Sequence, residues 1–316
     1  MRRRAAIVAV LALIGGASGC GGNGDGTHTG SGLLPAGGGG TLSYALPSLP
    51  ATLDPLTARG RPALTVTRQV YEPLIERLQA PYAQGGPQAG LALAAQPSGD
   101  RTTWTVTLRQ GVRFQDGTPF NAGSVLANSR RWQSSPVGRR LLPHLFAVDS
   151  PRPDVVRFLL DKPVPDLVAR LSSSRLGIVS PLALQPQSGQ GAGFRPEVAG
   201  SGTGAFQPSA AATGRIELSR FAGWWGSAAG LGPALDGVTF VPAPKQAQRL
   251  RLLQSGAVQV ADPLGAAGLR AAEADPLLDT IGGPVSGIGT DGSVRGIDSA
   301  RAIPVLSGVW LTRLTG

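Results

Sequence analysis

No apolar stripe of helical period runs far along this chain before glycine or proline interrupts it. With 46 Gly and 27 Pro in 316 residues, the sequence is cut into short units. That rules out a coiled coil or a helical bundle, which need sustained runs of strong helix formers. The hydrophobic share of 41% is enough to build a core, so wholesale disorder is excluded too. Short strands and short helices are interspersed without the strict alternation of a doubly wound sheet. The pattern predicts a mixed α/β fold.

The units can be placed. Residues 41–45 read as a strand, and TLDP (52–55) as a turn opened by an Asp-Pro step. Leu64, Thr67, Tyr71, Leu74, Ile75 and Leu78 fall mostly on one helical face, with Pro73 kinking or restarting that helix. Trp104, Val106 and Leu108 alternate with threonines and predict a half-buried strand. Val112 and Phe114 begin another, Asp116 and Gly117 turn the chain, and Asn121 caps a helix over 122–132. Strands follow at 155–160, 176–180, 205–208, 216–219, 238–242 and 258–261, with helices at 165–171 and 246–254. The predicted core includes Trp104, Val106, Leu108, Phe114 and Val125.

The N-terminus has a different character. Arg2, Arg3 and Arg4 precede apolar residues 5–14, and a small-residue stretch then ends at Cys20, the single cysteine. This is an export signal, too short as a helix to cross a hydrocarbon core of about 30 Å. An intramolecular disulfide is impossible with one cysteine. The residues before Cys20 resemble the lipobox of bacterial lipoproteins, with Ala17 where leucine is preferred. That resemblance implies lipid attachment at Cys20 and tethering at the outer face of the cytoplasmic membrane. Residues 21–40, dominated by glycine, read as a flexible linker, and residues 41–316 as the folded body.

Charge and chemistry narrow the function. The net charge of +10 owes three units to Arg2–Arg4, and the remaining basic residues are scattered rather than clustered, which argues against nucleic acid. His28 lies in the linker and His144 stands alone, so no imidazole pair is available for a metal or a proton relay. The glycine-rich stretch 200–204 has no lysine at phosphate-binding spacing, and there is no GxSxG elbow. The expectation is a binding protein without a cofactor, not an enzyme.

The block WTVTLRQGVRFQDGTPFNAGSVLANSRRW (104–132) resembles the signature region of the family 5 solute-binding proteins, the peptide-binding components of ABC importers. Other stretches agree in order: LDP (53–55), VYEPLIERL (70–78), GLALAAQP (90–97), GTGAF (202–206), SRFAGWWG (219–226) and LRLLQSGAVQVAD (250–262). The resemblance implies a type II periplasmic-binding-protein-like fold that holds a peptide or other small solute extended between two lobes and delivers it to an ABC permease. It places one cleft wall at Ser48, Leu49, Ala51 and Thr52, after the first strand, and at the turn of Gly202, Thr203 and Gly204.

There are departures from the family pattern. Gly123 and Ser124 replace the usual Glu and Asp, and Gln259 replaces an Asp. The second lobe, which in the family follows the region matching Asp262 and supplies an acid for the peptide's amino group, reads as reduced or absent. Residues 263–316 then form a shortened closure, with 294–297 and 309–314 resembling the family's last strand. Two readings stand: a lipid-anchored importer receptor, and a one-lobed scaffold or interaction lipoprotein without tight ligand binding.

Overall fold

A computed structural model describes residues 39–76, 90–185, 201–209, 213–229, 233 and 235–275. The expectations for Cys20, the export signal, most of the linker, Leu78 and the closing segments beyond 275 lie outside these residues. The chain is already held at the end of the predicted linker. Gly40 N–H donates to the Asp236 carboxylate at 2.9 Å, and Asp236 N–H returns a bond to the Gly40 carbonyl at 2.8 Å.

Two sheets organise the described residues. The first contains β1 (Thr41–Leu46), β6 (Phe206–Pro208), β7 (Ile216–Arg220), β8 (Gly237–Pro242) and β9 (Val260–Ala261), in the order β6-β7-β8-β1-β9. β1 pairs in parallel with β8 on one side and with β9 on the other, while β6 and β7 run antiparallel. The second sheet is antiparallel throughout and contains β2 (Ala92–Pro97), β3 (Thr103–Leu108), β4 (Leu145–Arg152) and β5 (Val155–Leu160), in the order β2-β3-β5-β4. Six helices complete the described fold: α1 (Gly60–Val70), α2 (Ala122–Ser134), α3 (Pro136–Leu141), α4 (Leu167–Leu171), α5 (Gln246–Gln254) and α6 (Ala266–Glu273).

Each sheet has its own core. Leu42, Tyr44 and Leu46 of β1 pack with Val66 and Val70 of α1 and with Phe206, Val238 and Phe240. Beneath the second sheet, Trp104, Val106, Leu108 and Phe158 meet Val125 and Trp132 of α2 and Leu167 and Leu171 of α4. Trp225 packs against both clusters. The predicted core residues Trp104, Val106, Leu108, Phe114 and Val125 are all buried.

Local chemistry explains most boundaries. The Asn121 side chain accepts from Ser124 N–H while the Ser124 hydroxyl accepts from Asn121 N–H, a reciprocal cap that starts α2 at the predicted residue. Gly256, at φ 73°, ends α5 as its place in the sequence implies. Three expectations are corrected. The helix around Pro73 stops at Val70, because Pro73 cannot donate a backbone hydrogen bond, and residues 71–73 are extended. Val112 and Phe114 are buried but form no strand; a single bridge, Arg113 to Pro119, closes the DGTP turn. Residues 177–180 are buried without strand pairing: Asn128 exchanges hydrogen bonds with the Val179 backbone at 2.7 and 3.1 Å, and the Ile178 and Ser180 N–H groups donate to the Glu72 and Ser201 carbonyls at 2.9 and 2.8 Å.

Candidate functional site at the carboxyl ends of the parallel strands

In open α/β sheets, ligands bind beyond the carboxyl ends of parallel strands, where the diverging loops leave a crevice. Here the three parallel strands end together: Leu46 lies opposite Pro242, and Ala45 opposite Ala261. The loop leaving β1 carries the predicted wall. Ser48 and Ala51 are exposed, and Leu49 and Thr52 are half-buried. Leu49 and Leu53 pack against the core of the first sheet, which fixes the loop from below.

The far end of that loop is rigid for a reason legible in its residues. Asp54 Oδ1 accepts from Leu56 N–H at 3.0 Å, an Asx turn, and the Thr57 hydroxyl donates to Oδ2 at 2.8 Å. Thr52 Oγ1 in turn accepts from Asp54 N–H at 3.1 Å. Arg131, on α2, forms an ion pair with the same carboxylate and so ties the loop to the neighbouring sheet's helix.

Under the other two loops lies Arg249 of α5, which is 4% exposed. Its Nη1 donates to the carbonyls of Ala243 and Pro244, at 2.7 and 3.0 Å, and Nε and Nη2 donate to the Pro263 carbonyl at 3.1 and 2.7 Å. One guanidinium therefore clamps the segment after β8 to the segment after β9. Burial lowers its pKa from the ordinary arginine value, and Asp262 opposes that shift. No local pattern marks this role, because Arg249 is one of two arginines on a short helix.

The second predicted wall is corrected. Ser201, Gly202, Thr203 and Gly204 are buried, with Thr203 at 0% exposure, so in this conformation they present nothing to a solute. They are a packing element. A Cβ on Gly202 would lie 1.9 Å from the Val70 carbonyl oxygen, and one on Gly204 would lie 2.4 Å from that of Gln69. Glycine is required because two backbones pass at contact. Gln115 seals the junction: its Nε2 donates to the carbonyls of Gly204 and Phe206 at 3.1 and 2.8 Å, while its backbone N–H donates to Gly202 at 2.8 Å.

Beside this junction stands a titratable group that sequence reasoning missed. Glu72, partly buried, accepts from Trp225 Nε1 at 3.0 Å and from Trp224 Nε1 at 3.3 Å. Arg109 stacks over the Trp225 ring, 4.1 Å from its centroid, and donates to the Gly90 carbonyl at 2.9 Å. Burial pushes the Glu72 carboxyl up to about 7, opposed by the indole donors and aided by Glu76. Its only signal in the sequence was its place in VYEPL, before a tryptophan pair more than a hundred residues away. Among the described residues no three His, Cys, Asp or Glu side chains are grouped to hold a metal ion, and no helix is long and apolar enough to cross a membrane.

Comparison with known proteins agrees with this architecture. Residues 86–293 match the family described as bacterial extracellular solute-binding proteins, family 5 Middle. The glutathione-binding protein GsiB of Salmonella typhi is 32% identical over 218 residues, covering 67% of this chain and 40% of that protein. The chain thus spans about 40% of the length of such curated relatives. Among solved structures, NikA from Brucella suis in complex with Fe(III)-EDTA superposes with a TM-score of 0.59 at 25% identity, covering 69% of this chain and 42% of that one. The periplasmic binding protein DppA from Helicobacter pylori in complex with the peptide STSA gives a TM-score of 0.64 at 21% identity, covering 76% and 49%. That last likeness concerns the fold alone.

Proposed function

Because the chain belongs to the bacterial extracellular solute-binding proteins of family 5, we propose that it is the substrate-binding component of an ABC importer, taking a peptide or similarly small solute. The observation that carries this reading is the exposed loop holding Ser48, Leu49, Ala51 and Thr52, set at the carboxyl ends of three parallel strands and braced by Asp54 and Arg131, with Arg249 clamping the two neighbouring loops. Such a site recognises an extended backbone through main-chain groups, with few side chains specifying the solute. The name of the Salmonella typhi relative supports a short peptide.

Among the described residues this loop supplies one wall. A solute held on one side keeps its opposite face hydrated, so affinity falls to about 10 μM–1 mM. Calorimetry with glutathione and with a mixed tripeptide library tests this. Binding in that range is expected. Submicromolar binding refutes the single wall, and no binding at any accessible concentration favours the scaffold reading.

The proposal extends to location. Residues 1–20 act as the export signal ending at the lipidated Cys20, residues 21–40 as the tether, and residues 41–316 as the body presented to a permease outside the cytoplasmic membrane. Membrane fractionation of wild type and Cys20→Ser tests the anchor, and equal retention of the two refutes it.

A further inference from the structure

A one-signed surface lies away from the strand ends. Residues 117–148 contain no carboxylate, and within them are Arg130, Arg131, Arg139 and Arg140. Arg131 is committed to Asp54. The other three are exposed and form no ion pair among the described residues. Beside them is Phe146, 74% exposed, the most exposed large apolar side chain described. It sits where the β4–β5 register slips between Leu145 and Ala147, an irregularity that re-aims a side chain.

The arginines and the phenylalanine form one patch. Arg139 Nη1 donates to the Gln133 carbonyl at 3.0 Å, and the Gln133 side chain donates to the Phe146 carbonyl at 2.9 Å. Arg130 is on the same helix as Gln133, and Arg140 follows Arg139 on α3. The carboxylates on the adjoining elements are already engaged: Asp149 with Arg157, Asp161 with His144, and Asp166 with Arg170. The uncompensated charge of the patch is therefore positive.

We propose that the face formed by Arg130, Arg139, Arg140 and Phe146 docks on an anionic phospholipid surface. The patch pairs uncompensated positive charge with an exposed aromatic side chain. Arginines draw the body to a negative headgroup layer, and a phenylalanine standing clear of the protein enters the headgroup boundary, where burial is favourable. An acidic protein surface would satisfy the charges but would need a matching pocket for Phe146. The docking does not depend on solute binding, so the two proposals fail separately.

Hydrogen exchange on the full-length protein tests the idea. The experiment compares vesicles of phosphatidylglycerol and phosphatidylcholine with vesicles of phosphatidylcholine alone, following peptides covering residues 130–148, so that N-terminal insertion does not confuse the result. Protection of this segment is expected with anionic vesicles only, lost at high salt. Replacing the exposed arginines, Arg139→Gln with Arg140→Gln, should weaken the anionic-specific partitioning about 25-fold, roughly five-fold per charge. Phe146→Ser should weaken it further while leaving the unfolding midpoint unchanged. Absence of protection overturns the proposal, as does protection by polyglutamate but not by vesicles, which would identify an acidic protein partner. Equal partitioning of wild type and the arginine double variant overturns it as well.

Discussion

The Glu72 carboxyl couples the stability of this protein to pH, in a direction opposite to that of a carboxylate held by a cation. Burial raises its pKa from 4.5 to about 7, so the native state holds this proton more tightly than the unfolded chain does. The resulting stabilisation is fully present below about pH 4.5 and is lost as pH rises through 7. The difference in pKa corresponds to about 3 kcal/mol between pH 4 and pH 8. Glu72→Gln keeps an acceptor for the Trp224 and Trp225 indoles but cannot ionise. Urea unfolding of wild type and variant across that range isolates the effect, because every other titrating group is common to both. The difference between the two profiles should change by about 3 kcal/mol, or about 6–12 °C in midpoint temperature, with the variant gaining on the wild type toward alkaline pH. Profiles that run parallel within about 0.5 kcal/mol would refute the assignment of a perturbed, partly buried Glu72.

Other expectations follow from packing and from the sequence. Gly202→Ala sets a methyl 1.9 Å from the Val70 carbonyl oxygen and should cost several kcal/mol in a denaturant midpoint, about 3 or more; an unchanged midpoint would show that the α1 junction is looser than described. Trp104→Ala, at a side chain 6% exposed, should cost about 3–5 kcal/mol by the same measurement. Arg249→Ala leaves the Ala243, Pro244 and Pro263 carbonyls without their donor and should raise hydrogen exchange in the segments after β8 and β9. Exchange there equal to wild type would remove its role as a clamp. Cys20→Ser should shift the protein from the membrane to the soluble fraction.

Where a single residue type decides local structure, the sequence could be read directly. The threonine alternation around Trp104 puts Trp104, Val106 and Leu108 on one face of β3, while Asn121 starts α2 and Gly256 ends α5 at the positions their chemistry requires. β4 was not legible, because Pro151 and two register slips hide its period. The strand expected at 176–180 failed for a related reason: an apolar run reports burial, and here the backbone partners are the Asn128 side chain and the carbonyls of Glu72 and Ser201 rather than a neighbouring strand. Of the candidate site, the loop after β1 was placed by the family resemblance; the strand and the Asp-Pro turn mark only where β1 ends. The turn at Gly202, Thr203 and Gly204 was misplaced because glycine permits close approach to a ligand and to another backbone alike. Only the position of Val70 decides between them. Glu72 and Arg249 act through partners distant in sequence, and no local pattern records such contacts.

We propose capture of a small solute at the carboxyl ends of β1, β8 and β9. Its most direct test is hydrogen exchange of the full chain with and without a saturating mixed tripeptide library, following the peptides that cover residues 47–53 and 243–246. Slowed exchange is expected in both segments, with no added protection at residues 201–204, which are already buried. Unchanged exchange at 47–53 under saturation, or protection confined to another part of the molecule, would contradict it.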